Sequence, residues 1–400
     1  MTDALYRDDM GGGTPVNATR HHSGPTEDDA RSKAAAPTFT PFRLPLIWTA
    51  LAMDASGRMA TAMAKSLSEL AAVEAEKSAC ILPDWTTDHK VALELEAVTL
   101  REFARGERRG PATLICTPLA FVRALIADFA PGHSVVASLL DAGLSDTFVI
   151  DWRSATDEMR NKSLDSYFSD LNVVVDHLDP PVHLIGLCQG GWMALAYAAR
   201  FPEKVDKLVL VGAPVDMSAQ TTRLTTLSAG IPLAVVERLV ALDRGIVEGA
   251  RFLKFWAPAG INDEYAAMSL QLGADASPAQ RAALVERFTH WFGATINLPG
   301  RYFLDVVGRL LQNNGLVSGD FQVLGVPIDL KRVRSPVTLI AAEQDEVVGS
   351  EQLFAAERFI GTAKADIRKI IVPGNHLGLF VGADVNRNIW PGVGQWLADN

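Results

Sequence analysis

The chain has 400 residues, of which 48% are hydrophobic and 21% charged, with a formal net charge of -10. That length and apolar content support a large buried core, while the acidic balance and the lack of clustered Lys and Arg exclude a phosphate-binding nucleic-acid surface. The three cysteines, Cys80, Cys116 and Cys188, have no repeated spacing, which excludes a disulfide framework or a zinc motif and makes a reducing, cytoplasmic setting the expectation.

Residues 1–40 are rich in Gly, Pro, Ser, Thr, Asp and Ala and are expected to form a disordered tail. They lack the basic start and apolar stretch of a secretory signal. Across 41–84, Leu51, Met59, Met63, Leu67 and Leu70 form one apolar stripe at helical spacing. This predicts a helical arm, which either packs on the main domain or meets a partner or hydrophobic particle surface. The run Leu44–Met53 is interrupted by Pro45 and falls short of the roughly 20 residues a transmembrane helix needs, so no such helix is expected.

The main domain is expected over 85–215 and 335–400. Val91–Phe103 alternates apolar and polar residues, as an antiparallel pair at a sheet edge would. Short apolar runs follow at Thr113–Cys116, Thr147–Ile150, Val182–Leu187, Lys207–Val211, Val337–Ala341 and Ile367–Val372, with helix-length segments between most of them. Strands buried on both sides need near-continuous apolar runs, so the pattern predicts an α/β fold: a mostly parallel central sheet with helices on both faces. The interval 216–334 breaks the rhythm and reads as an inserted, mainly helical cap. Its aromatic residues Trp256, Phe288, Trp291, Phe292, Tyr302 and Phe303 either wall an acyl-binding channel or fill the cap's own core. No internal repeat is present.

The chemistry centres on His183-Leu184-Ile185-Gly186-Leu187-Cys188-Gln189-Gly190-Gly191-Trp192, an apolar strand running through Gly-x-Cys-x-Gly into an Ala-rich helix. This is a nucleophile elbow with Cys in place of Ser, and Gly186, Gly190 and Gly191 belong to its tight turn. At a helix start the Cys188 thiolate is favoured by the helix dipole, and the backbone amide of Gln189 is positioned as an oxyanion donor. A small cysteine at a strand end is also a common core residue; the strand before it, the helix after it and the downstream partners favour catalysis.

Of the eight histidines, His376 follows a late strand within Val372-Pro373-Gly374-Asn375-His376-Leu377-Gly378 and is the expected base. Asp345 follows the run at Val337–Ala342 and precedes His376, giving the order nucleophile, acid, base. Glu343 and Glu346 are neighbours that could take its place. A second oxyanion amide is expected around Leu119 in Thr117-Pro118-Leu119-Ala120. No metal or nucleotide cofactor is expected, for neither a ligand cluster nor a phosphate loop is apparent.

These residues resemble the polyhydroxyalkanoate synthase and intracellular polyhydroxyalkanoate depolymerase group of cysteine-dependent α/β hydrolases. The resemblance rests on the Cys188 box, on Asp151-Trp152-Arg153, on Ala130-Pro131-Gly132-His133-Ser134 and on the block Asn375-His376-Leu377-Gly378-Leu379-Phe380 with Trp390-Pro391 and Trp396-Leu397. It spans roughly residues 85–399 and implies an α/β-hydrolase fold and acyl transfer from 3-hydroxyacyl-CoA, or attack on polyhydroxyalkanoate, through an acyl-cysteine. CoA would enter only as part of the substrate. Synthases typically carry His after the catalytic Asp; here Glu346 follows Asp345, and with the Cys188-Gln189 pair this is nearer the depolymerases. Gly190, Gly191 and Asn314-Gly315-Leu316-Val317-Ser318-Gly319 are synthase-like. The alternatives are therefore a depolymerase or other thioesterase, and a non-catalytic protein that binds polyester granules. Granule association and a homo-oligomer are both compatible with the sequence.

Overall fold

The computed structural model describes residues 82–106, 110–256, 262–273 and 276–399. The N-terminal tail, nearly all of the helical arm, Cys80 and the Trp256 side chain lie outside the described residues.

The main sheet contains β1 (Lys90–Glu94), β2 (Val98–Ala104), β3 (Thr113–Cys116), β4 (Asp146–Trp152), β5 (Val182–Leu187), β6 (Val205–Val211), β7 (Val337–Ala342) and β8 (Ile367–Val372). These strands lie in the order β1-β2-β4-β3-β5-β6-β7-β8. Strand β2 runs against both its neighbours, and every ladder from β4 across to β8 is parallel. β4 and β6 extend beyond their apolar runs because ladder pairing continues past them: Val98 still faces Trp152, and Val182 faces Val205.

Alternate residues of the parallel strands serve two cores. Leu114, Ile150, Leu184, Leu210 and Leu339 enter one; Ile115, Val149, Ile185, Val209 and Ile340 enter the other. Two-sided burial is the reason these strands read as unbroken apolar runs. The edge strand β8 instead exposes Arg368 and Lys369, and charges of this kind discourage pairing with another chain.

Helices α1 (Val135–Asp141), α2 (Leu164–His177) and α3 (Gln189–Arg200) flank the sheet. Ser134 starts α1 by accepting the Ala137 amide on its Oγ at 2.9 Å, and Ser163 with Ser166 forms a capping box at α2.

Between β6 and β7 lie α4 (Arg223–Gly230), α5 (Leu233–Leu242), α6 (Gly249–Trp256), α7 (Asp263–Ser269), α8 (Pro278–Gly293) and α9 (Gly300–Asp305), the last running into a π-helical segment, Val306–Gln312. Their aromatic residues divide between the two cores of the sheet. Phe288 and Trp291 pack edge-on against Phe129, with ring centroids 6.2 and 5.6 Å away. Tyr302 meets Tyr167 of α2 at 4.9 Å in the opposite core. Of the two expected alternatives the channel wall holds for Phe292, Tyr302 and Phe303, which line the cavity that also holds Cys188, while Phe288 and Trp291 fill a core of the sheet rather than a separate core of the cap.

The start and end of this insertion are tied together at Asp216. Its carboxylate accepts from Ser218 Oγ at 2.6 Å and Asn314 Nδ2 at 2.8 Å, and it pairs with Arg358 at 3.0 Å. Helix α10 (Trp390–Ala398) closes the chain against α1, with Trp390 and Leu397 buried. Among the described residues, no single helix is long and apolar enough to cross a membrane.

Candidate active site

Strands β3 and β5 are neighbours although β4 lies between them in sequence. Successive connections diverge from this point, which leaves a crevice at the carboxyl ends of the strands. Cys188 stands there, between β5 and α3, with φ 50° and ψ -115°. A non-glycine residue in this region is strained and persists only when its surroundings hold it. Here its amide donates to Val211 O at 2.8 Å, and its carbonyl accepts from Gly191 N at 2.9 Å.

Each elbow glycine is required by a close approach. A Cβ on Gly186 would overlap the Gly191 backbone, one on Gly190 the Cys116 carbonyl, and one on Gly191 the Ala213 side chain. Gly190 therefore admits the end of β3, a contact that the motif by itself does not disclose.

His376 follows β8, and Asp345 follows β7. The imidazole Nδ1 lies 2.8 Å from Asp345 Oδ2, and both side chains are buried. The other carboxylate oxygen, Oδ1, accepts the amides of Val347 at 2.9 Å and Val348 at 2.7 Å. These bonds hold Asp345 in one orientation. Burial by itself would lower the His376 pKa, but Asp345, bonded to Nδ1, and the nearby Cys188 sulfur outweigh it and hold the pKa well above 6.5. Of the neighbouring carboxylates, Glu343 is exposed, and Glu346 contacts the His376 backbone rather than its ring.

Cys188 and Cys116 occupy contrasting sites. Cys116 is fully buried, and burial pushes its thiol up to about 12, whereas Cys188 is half-buried on a cavity wall. That cavity has a volume of about 320 Å³, near the lower end for small-molecule sites, and is predominantly apolar. It brings Cys188, Gln189, His376 and Leu119 together. The Gln189 side chain is held by Trp192, whose Nε1 donates to its Oε1 at 2.5 Å. Leu119 is fixed from the cap side, since its carbonyl accepts from the Tyr302 hydroxyl at 3.1 Å. The loop leading to Leu119 is braced by Trp152 Nε1, which donates to Thr117 O at 2.9 Å.

Several site residues carry no motif. Tyr265 of α7 donates its hydroxyl to Glu346 Oε1 at 2.6 Å, and Glu346 Oε2 accepts the His376 amide at 3.3 Å. Asn375 Nδ2 donates to Ser269 Oγ at 2.8 Å, and Gln271 Nε2 donates to Pro373 O at 3.2 Å. The cap thereby grips the loop that carries His376. The only local signal for Glu346 was its place beside Asp345, while Tyr265, Ser269 and Gln271 offered none.

The sheet order, the strained elbow at its carboxyl edge and the loops after β7 and β8 define an α/β hydrolase. The chain belongs to the alpha/beta hydrolase fold family, whose model matches residues 129–383. Within that family it is polyhydroxyalkanoate synthase-like. It is 27% identical over 291 residues to Poly(3-hydroxyalkanoate) polymerase subunit PhaC of Allochromatium vinosum, covering 70% of this chain and 80% of that protein. The protein of the same name from Thiocystis violacea is 27% identical over 292 residues, with 70% and 80% coverage. That from Synechocystis sp. is 27% identical over 298 residues, covering 70% of this chain and 78% of the relative.

Proposed function

We propose that this protein is a synthase-like acyl-transfer enzyme that acts on 3-hydroxyacyl thioesters or polyesters through an acyl-cysteine at Cys188. The observation that carries the reading is a half-buried cysteine in a strained elbow, beside a histidine whose other ring nitrogen is bonded to a buried, doubly amide-bound aspartate. The names of the similar polymerases supply the substrate class.

His376 takes the thiol proton, and the thiolate attacks the thioester carbonyl. The developing oxyanion is received by the Gln189 amide and by an amide near Leu119. Collapse breaks the carbon–sulfur bond to CoA, and His376 returns the proton to the departing thiolate. In the second half-reaction His376 deprotonates an acceptor hydroxyl, which attacks the acyl-cysteine and regenerates the thiol. Asp345 orients the imidazole and stabilises its cation throughout.

An acceptor at the end of a growing chain gives polymer, whereas water gives the free acid. Incubation with 3-hydroxybutyryl-CoA, following CoA release, insoluble polymer and soluble acid, is expected to yield polymer. Free acid without polymer would assign the hydrolytic alternative, which the Glu346 neighbour of Asp345 favours. Intact-mass measurement should find a 3-hydroxybutyryl adduct that is lost in Cys188→Ala. If wild type forms no adduct with any thioester or activated ester, the enzymatic reading fails and a granule-binding role gains ground.

A further inference from the structure

One carboxylate on the cavity wall takes no part in that chemistry. Glu346 lines the same cavity as Cys188 and His376. It accepts from the Tyr265 hydroxyl at 2.6 Å and from the His376 backbone amide at 3.3 Å, so it is tied to the loop that carries the base. A carboxylate has about four acceptor positions, and these bonds use two of them. Burial and the adjacent Glu346 charge push the Tyr265 hydroxyl up, so it stays a neutral donor that anchors the carboxylate.

Much of the surrounding wall is apolar, including Leu227, Ile231, Phe252, Phe292 and Val307. A hydroxyl carried by an acyl chain into such a wall loses water and needs a new acceptor. Other polar wall groups are weaker acceptors. Gln189 Oε1 already accepts from Trp192, and the Tyr302 and Ser228 hydroxyls, which donate to Leu119 O and Thr225 O, offer only neutral lone pairs, whereas Glu346 offers a charged carboxylate. Arg223 is exposed and, as a guanidinium, cannot accept a proton.

We infer that Glu346, held by Tyr265, is a hydroxyl-binding subsite that receives the 3-hydroxyl of the acyl group on Cys188, so that the enzyme selects 3-hydroxyacyl over plain acyl thioesters. The inference rests on the acyl-cysteine reading and adds the group that recognises the substituent. A hydroxyl donating to a carboxylate forms a short, charge-assisted bond. Glu346 is also exposed on one side, so water competes and the selectivity is expected to be moderate.

The test compares kcat/KM for 3-hydroxybutyryl-CoA and butyryl-CoA, read as CoA release and as acyl adduct by intact mass. It uses wild type, Glu346→Gln and Tyr265→Phe. Wild type is expected to prefer the hydroxylated substrate by about tenfold, just under the range for a hydrogen bond to a charged group because water competes. Glu346→Gln, which keeps an acceptor but loses the charge, should lower the ratio to a fewfold at most, and Tyr265→Phe should move it part of the way. Because both substrates are measured on the same enzyme, a general loss of folded protein cancels in the ratio. A wild type that acylates with both substrates, but whose ratio Glu346→Gln leaves unmoved, overturns the hydroxyl subsite and spares the acyl-cysteine reading. A wild type that acylates with neither overturns both.

Discussion

Cys188 illustrates how a residue is kept at an energetic cost. A non-glycine residue at φ 50° and ψ -115° carries on the order of 1–3 kcal/mol of backbone strain. Glycine adopts this conformation without that penalty, so Cys188→Gly should be more stable than Cys188→Ala by about 1 kcal/mol. Both variants should lack the acyl adduct, and urea denaturation reads the difference. A second expectation concerns His376, where burial opposes the charge that Asp345 and Cys188 favour. In Asp345→Asn burial prevails, so the His376 pKa should fall, as followed by NMR titration of the ring, and acylation should drop by about 10³–10⁴-fold. An unchanged titration would show that Asp345 does not sustain the imidazolium. The folded pKa is raised, so its stabilising contribution is complete below about 6.5 and is lost as pH rises through the folded value.

At the scale of elements, Asp216 joins the entry of the cap insertion to Asn314 near its exit and to Arg358 beyond β7. Burial would raise its pKa, but hydrogen bonds from Ser218 and Asn314, with the Arg358 charge, hold it below 3.8. Asp216→Ala should lower the unfolding free energy by about 1.5–3 kcal/mol at pH 7, the usual range for hydrogen bonds to a charged group. A depressed carboxylate pKa stabilises above the unfolded value and loses that effect as pH falls through the folded one. The gap between wild type and variant should therefore narrow on acidification below about 3.8. Equal gaps at pH 7 and pH 3 would show that the carboxylate's charge contributes nothing. The asparagine in this tie was legible only as part of the Asn314-Gly315 block. Its partner is distant in sequence and bore no local mark.

At the scale of the whole molecule, the insertion has unequal attachment. Leu224 in α4 and Val236 with Val240 in α5 are the buried residues of those helices, and Leu239 and Leu242 are exposed. In contrast, α7 and the turn after it grip the His376 loop through Ser269 and Gln271, and α8 buries Phe288 and Trp291. Hydrogen exchange should accordingly be at least about tenfold faster over residues 223–242 than over α8, because local opening follows buried contacts. An acyl ligand in the cavity should slow exchange in α4, whose Leu224 and Leu227 line it. Uniform exchange across the insertion would mean that it opens as one body. The amino-acid sequence by itself determined the sheet and the elbow, since two-sided burial demands continuous apolar strands and the tight strand-to-helix turn demands its glycines. It also narrowed the acid to three neighbouring carboxylates. Only the tertiary structure decided that Asp345 meets the His376 ring while Glu346 takes its backbone, and which cap aromatics wall the cavity beside Cys188 and which fill the sheet's cores. Those outcomes depend on contacts such as Ser269 with Asn375, separated by 106 residues, and neither local propensity nor spacing records which distant side chains meet.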